Sequence, residues 1–280
     1  MSPAAGAAST RIPVGRIALL LSLVVAAWAI ARGSSAPRWR PLGPGLEFAT
    51  LRGDPYCRRG SAEIALLRLD PGRVHLRVYH CSRQPEKSPL AALEWQRRLQ
   101  AVAVFNAGQY YPDFSYMGLL VSGGDMVSNR PHPDFQAALV AAPVSGPSRA
   151  RVLDLDQTPL QRGALPWREV AQSFMLFDHG GKLRVRKSEQ VANRTAVAED
   201  SRGRIVVATT EGGYTLWEFG RLLARAPLSL SHAMSMDGGR EAELCVRTPD
   251  FHYASFARWE AAERGEGGVP LPAVIAVSLR

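Results

Sequence analysis

The sequence predicts one mixed α+β domain, built on a largely antiparallel or mixed sheet with a few helices and preceded by an amino-terminal signal or anchor segment. Three observations carry this. Short β-branched or alternating runs recur between turn residues, only two segments show a helical stripe, and no repeat or long linker divides the chain after residue 40. A chain of 280 residues, 46% hydrophobic and 21% charged, has a globular composition, which excludes disordered, collagen-like and coiled-coil readings. It is long enough to bury a full core without a disulfide lattice or structural metal.

Residues 1–16 carry Arg11 and Arg16 and no acid, and residues 17–31 form an uncharged apolar run. That run is shorter than the roughly 20 residues needed to span a bilayer and suits the core of an export signal. Small residues at Ala29 and Ala31, and again at Ser34 and Ala36, suit cleavage. Residues 1–36 are therefore expected to be a signal peptide or, uncut, a membrane anchor, with the domain at 37–280 outside the cytoplasm, whether periplasmic, secreted or anchored.

Strands are predicted over 45–51, 62–69 and 73–79, the last two joined as a hairpin at Asp70-Pro71-Gly72. Such a hairpin would bring Cys57 and Cys81 together across its open end, so a Cys57–Cys81 disulfide is expected, with two unrelated thiols as the alternative and Cys245 left over. Residues 90–100 show a helical stripe at Leu90, Leu93 and Leu99, followed by a strand at 102–105 and an aromatic loop holding Tyr110, Tyr111, Phe114 and Tyr116. Further strands are predicted at 118–122, 137–143 and 151–155, and a hairpin at 173–186 turns on Asp178-His179-Gly180-Gly181. Adjacent strands follow at 194–198 and 204–209. Thr215 and Glu218 then have the spacing of a capping box that opens a helix over 215–223. Strands at 232–236, 244–247 and 274–279 complete the domain.

The net charge of +9 comes from 34 basic and 25 acidic residues, and only Lys87, Lys182 and Lys187 of the basic set are lysines. The arginines are scattered, which reads as an Arg-biased solvated surface, and no nucleic-acid partner is expected. No C-x-x-C, H-E-x-x-H, G-x-S-x-G, Walker or EF-hand pattern occurs, and the six histidines show no ligand spacing, so neither a metal nor a cofactor is expected.

Polar residues do stand where predicted strands end: Asn106, Arg194 at a strand start, Glu211 and Asp237. Asn106-Ala107-Gly108 and Asp237-Gly238-Gly239 each pair a polar side chain with small residues that admit a ligand to the backbone. Both are also ordinary turn sequences.

The segments NAGQYYPDFSYMGLLVSGG, NRTAVAEDSRGRIVVATTEGGYTLWEFGRLL and LSHAMSMDGGREAEL, in that order, resemble the phosphodiester glycosidase family over roughly residues 100–250. Two departures stand out: Met236 precedes the Asp, and Arg240-Glu241 replaces a small residue and a hydroxyl after Gly239. The resemblance implies hydrolysis of a sugar joined through its anomeric carbon to a phosphodiester, with a carbohydrate or sugar phosphate as substrate. Asp237 is then the first choice for the carboxylate that serves the anomeric carbon and Glu211 the second, while Arg194 clamps the phosphate through its planar fork. Asn106 and Gly108, with Gly238 and Gly239 through backbone N–H groups, are expected to bind substrate, and Tyr110 and its loop to stack on a sugar face. The capping box accounts for Glu218 without catalysis. A site of this kind requires Asn106, Arg194, Glu211 and Asp237 to converge, with Arg194 facing a carboxylate. The alternative is a non-catalytic envelope protein of the same fold that binds an anionic glycan, an alternative raised by Arg240 and Glu241.

Overall fold

A computed structural model describes residues 36–147, 149–161, 163–257, 259 and 268–280, so the signal or anchor predicted within 1–36 lies outside the described residues but for Ala36. The domain is far richer in strand than an α+β reading anticipates. Its largest sheet runs, in spatial order, β1 (Arg40–Gly43), β2 (Leu46–Arg52), β3 (Glu63–Leu69), β14 (Ile205–Thr210), β13 (Thr195–Asp200), β16 (Leu230–Ser235) and β11 (Met175–Phe177). A five-stranded sheet holds β18 (Phe251–Phe256), β17 (Glu243–Thr248), β5 (Ala103–Asn106), β19 (Ala273–Leu279) and β4 (Val74–His80). The other five-stranded sheet holds β7 (Asp125–Arg130), β6 (Gly118–Ser122), β10 (Trp167–Ser173), β8 (Ala137–Pro143) and β9 (Ala150–Asp154), and a short ribbon pairs β12 (Val191–Ala192) with β15 (Tyr214–Thr215). Neighbouring strands are antiparallel, as predicted.

One core joins the three sheets: Leu67 and Val207 from the largest, Phe105 and Ile275 from the second, and Leu139 and Val152 from the third are all buried in it. At roughly 1.5–3 kcal/mol for each large apolar side chain removed from water, this core is the main source of stability. β3 and β14 read as continuous apolar runs because both their faces are covered. Leu67 and Val207 face the core, while Leu66 and Val206 pack under α2 (Leu216–Arg225), with Phe219 and Leu223. Thr215 caps that helix as its spacing predicts: its Oγ1 accepts the Glu218 N–H at 3.2 Å and donates to the Glu218 carboxylate at 2.9 Å, and Arg58 pairs with the same carboxylate. α1 (Ala92–Leu99) covers the second sheet through Trp95, fully buried, whose indole N–H donates to Leu271 O at 2.9 Å. Among the described residues no helix is long and apolar enough to cross a membrane.

The predicted hairpin between β3 and β4 does not form. The turn itself is made, with the Asp70 carboxylate accepting the Gly72 N–H at 2.8 Å, but it carries the chain from one sheet to another, where β4 pairs with β19. The disulfide goes with the hairpin: Cys57 and Cys81 are both free. Cys57 Sγ donates to Arg59 O at 3.2 Å, whereas Cys81 packs with Trp95 and Cys245 beneath α1. At 173–186 the predicted turn forms, with the Asp178 carboxylate accepting the Gly180 and Lys182 N–H groups at 3.0 Å, and the arms meet through a Phe177–Leu183 bridge and an Arg184 N–H to Leu176 O bond of 3.0 Å, but only β11 is a full strand. β1, β7, β10, β12, β15 and β18 are strands that the sequence does not predict.

Candidate active site

Sheet register brings the site residues to one end of the largest sheet. β13 and β16 run antiparallel with Ala196 opposite Ser235, so the residue before β13, Arg194, lies beside the residues after β16, and the Met236 N–H donates to Thr195 O at 2.9 Å. β5 delivers Asn106 to the same place: the Asp237 N–H donates to Ala107 O at 3.0 Å, and Asn106 Nδ2 donates back to Asp237 O at 2.9 Å. Asn106 Oδ1 accepts the Glu243 N–H at 3.2 Å, so this amide, only 1% exposed, is spent on holding three backbone segments together.

Arg194 is buried, and two backbone carbonyls set its guanidinium plane: Nε donates to Tyr214 O at 3.1 Å and Nη2 to Gln190 O at 2.8 Å. Its Nη1 edge lies against Gly238, where an added Cβ would stand 3.1 Å from Nη1 and 2.9 Å from Asn193 O. Glycine at 238 is what allows the Asp237 turn to approach this cation so closely. The N–H groups of the two glycines are already committed, Gly238 to Asp237 Oδ1 at 2.9 Å and Gly239 to Asn193 O at 2.9 Å. They shape the site, and the expectation that they offer donors to an anion is corrected. Gly108 is corrected likewise: its N–H donates to the Tyr116 hydroxyl at 3.1 Å, and an added Cβ would stand 2.3 Å from that oxygen.

Asp237 is the carboxylate next to Gly238 in this cluster, and the Arg194 charge acts on it. Burial, and next the negative charge of Glu241, push its pKa up to about 7, against the stabilising Gly238 N–H and the positive charge of Arg194. Glu241 stands on the 3-10 turn Gly239–Glu241 and accepts a hydrogen bond from the Tyr110 hydroxyl at 3.1 Å, which ties the aromatic loop to the turn. Burial and the Glu241 charge raise the Tyr110 pKa, so the phenol keeps its proton. In the loop, Tyr116 is buried and Tyr111 and Phe114 are exposed. Behind Asn106, burial pushes Glu243 up to about 8 against N–H donation from Val269 and Ala92.

Arg194, Asp237 and Asn106 are thus brought together. Glu211 follows β14 at the same end of the sheet but turns toward β3: its N–H donates to Glu63 O at 3.0 Å, and its carboxylate accepts the Tyr253 hydroxyl. It lines a cavity of about 380 Å³ with Gly60, Ser61, Glu63, Tyr253 and Trp259. Asn193 and Glu243 lie within the family-like segments NRTAVAEDSRGRIVVATTEGGYTLWEFGRLL and LSHAMSMDGGREAEL, but the sequence analysis gives them no role. Asn193 is fully buried, and its Oδ1 has no hydrogen-bond partner among the described residues. The signal for both was adjacency to Arg194 and Asp237, which becomes informative only once the strand register is known.

A family model described as phosphodiester glycosidase matches residues 99–277. No curated protein matches in sequence. Among solved structures, the catalytic domain of zebrafish N-acetylglucosamine-1-phosphodiester alpha-N-acetylglucosaminidase, auto-inhibited by its pro-peptide, superposes with a TM-score of 0.60 at 16% identity, covering 90% of this chain and 91% of that one. A hypothetical protein from Synechocystis gives 0.54 at 14% identity over 87% of this chain and 61% of the other. A putative exported protein from Burkholderia pseudomallei gives 0.50 at 11% identity over 77% and 73%. At these identities the likeness is one of fold.

Proposed function

The chain belongs to the phosphodiester glycosidase family, and we propose that it is an exported hydrolase that cleaves a glycosyl phosphodiester, or a related envelope or extracellular glycan, at the anomeric carbon. The observation that supports this is Asp237, a strand-end carboxylate whose pKa is pushed up to about 7 and which feels the charge of Arg194, a guanidinium fixed by Tyr214 O and Gln190 O. In this reading Arg194 receives the anionic phosphate and Asp237, ionised, serves the anomeric carbon, either by activating water or by bracing the developing positive charge. Water adds at that carbon, the bond to the phosphate oxygen breaks, and sugar and phosphomonoester leave. A phosphate departs as a stable anion, so the reaction asks less of a general acid than loss of an alkoxide does. Asn106 acts as a positioning residue through the Asp237 backbone, and Glu211 is the second candidate for the carboxylate. Export rests on the apolar run at 17–31 and on the described export of the Burkholderia neighbour.

The purified full chain is expected to release free sugar from at least some members of a panel of glycosyl phosphodiesters. The bond from Tyr110 to Glu241, set beside Asp237, favours a second reading in which the fold binds an anionic glycan without turnover. Saturable binding with no product across the panel would select that reading, and turnover of any member would remove it.

A further inference from the structure

The arginines that look scattered in the sequence converge at a second place, independent of Asp237. A cavity of about 390 Å³ opens where the edge strand β4 meets the third sheet, and its walls carry Arg77 from β4, Arg149 before β9 and Arg168 from β10, with His75 alongside Arg77. Positions 75 and 77 share a strand face by the two-residue period, and all three guanidiniums belong to exposed residues. Arg77 and Arg168 flank the Gly123-Gly124 turn, for a Cβ added at Gly123 would lie 3.8 Å from Arg77 Nη2 and one at Gly124 3.8 Å from Arg168 Nη1.

The opposing negative charge is small. Glu169 is the acid in the wall, and its two oxygens are occupied by the N–H groups of Val78 at 2.9 Å and Gly123 at 3.1 Å, with Arg77 Nε 3.8 Å away. Burial favours its neutral form. Asp70, at the neighbouring turn, faces Arg73 at 3.6 Å. The wall also holds Ala142 at φ +51°, a left-handed conformation that a non-glycine residue adopts at a cost, and such strain concentrates at functional sites. Three planar forks around one small, solvent-open cavity match a tetrahedral oxyanion.

We propose that this cavity is an anion site that takes a phosphate group, held by Arg77, Arg149 and Arg168. The phosphate belongs either to a soluble phosphorylated molecule or to a lipid headgroup, and two measurements separate these sources. Calorimetric titration of the full chain with tripolyphosphate should show saturable binding that weakens with salt. The R77Q/R168Q variant should lose about tenfold or more in affinity, as expected for charge-assisted bonds, while Asp237→Asn binds as the wild type does. R77K/R168K, which keeps charge but not the fork, should fall between, with both arginine variants sharing the wild-type thermal midpoint. Sedimentation with phosphatidylcholine vesicles, with and without phosphatidic acid, addresses the lipid. A headgroup ligand predicts that R77Q/R168Q lowers recovery on phosphatidic acid alone, and a soluble ligand predicts equal recovery with the titration effect intact. The proposal is overturned if the wild type binds neither probe saturably, if R77Q/R168Q binds both as the wild type does, or if Asp237→Asn abolishes the titration. Sugar release by R77Q/R168Q should stay at the wild-type rate, so failure of this site and failure of the hydrolase reading are distinguishable.

Discussion

Asp237 and Glu211 close adjacent parts of the same sheet end, one after β16 and the other after β14, and their surroundings could hardly differ more. Asp237 is crowded by a second carboxylate, Glu241, with Arg194 in opposition, and its pKa rises to about 7. Glu211 accepts a hydrogen bond from a tyrosine hydroxyl and lines a cavity with Gly60, Ser61, Glu63 and Trp259. The contrast teaches that two carboxylates at one sheet end can differ in the charge around them: Asp237 shares its surroundings with Glu241 and Arg194, whereas Glu211, itself buried, accepts a hydrogen bond from a neutral hydroxyl.

The largest expected effect follows directly. Asp237→Asn should lower kcat for glycosyl phosphodiester hydrolysis by about a thousandfold, within the range of about 10²–10⁴ for a positioned acid or base, as measured by sugar release. Arg194→Lys should raise KM and lower kcat/KM by about 10–100-fold, because an ammonium cannot reproduce a fork fixed by Tyr214 O and Gln190 O. An unchanged KM would separate Arg194 from the phosphate and leave the Asp237 region without its clamp.

Stability should respond in the opposite sense to activity. An aspartate titrates near about 3.9 when unfolded, but Asp237 does so at about 7 in the fold. The folded state therefore holds an extra proton between these values, and its contribution to stability is complete below about pH 4 and lost as pH rises through 7. Asp237→Asn removes that loss, so the variant should be more stable than the wild type by on the order of 2–4 kcal/mol at about pH 8 and nearly equal to it at about pH 4, in urea unfolding followed at both. A destabilised variant would make Asp237 a structural turn residue. The smallest effect is expected from Glu241→Gln. Removing a charge that raises the Asp237 pKa should move the acid limb of kcat/KM to lower pH, with the rate above that limb little changed.

What was legible in the sequence is what a few neighbouring residues decide. Thr215 and Glu218 announce the α2 cap because both partners lie within one turn, and β8 stands out because its residues are apolar on both faces. Asp237-Gly238-Gly239 and Arg194 were readable through turn chemistry and family likeness. β7 was not, being polar on both faces and largely exposed, and β10 was hidden by Arg168 and Glu169 near its start. The pairing of β4 was beyond local reading altogether: the Asp70 turn is decided by three residues, but whether the next strand folds back or crosses to β19 is decided some 200 residues later. The lost disulfide follows from that one misassigned partner. The same distance concealed that the Asn106 amide is spent on backbone, and that Arg77, Arg149 and Arg168 share one cavity.

The most direct test of the central claim compares Asp237→Asn with Glu211→Gln on one glycosyl phosphodiester that the wild type turns over, at about pH 8, above the Asp237 titration. Asp237 as the working carboxylate predicts that Asp237→Asn loses turnover by about a thousandfold while binding the substrate, and that Glu211→Gln retains at least about a tenth of the wild-type rate. Turnover by Asp237→Asn close to wild type, with Glu211→Gln inactive and folded, would contradict the account and move the chemistry to the Tyr253 side of the sheet.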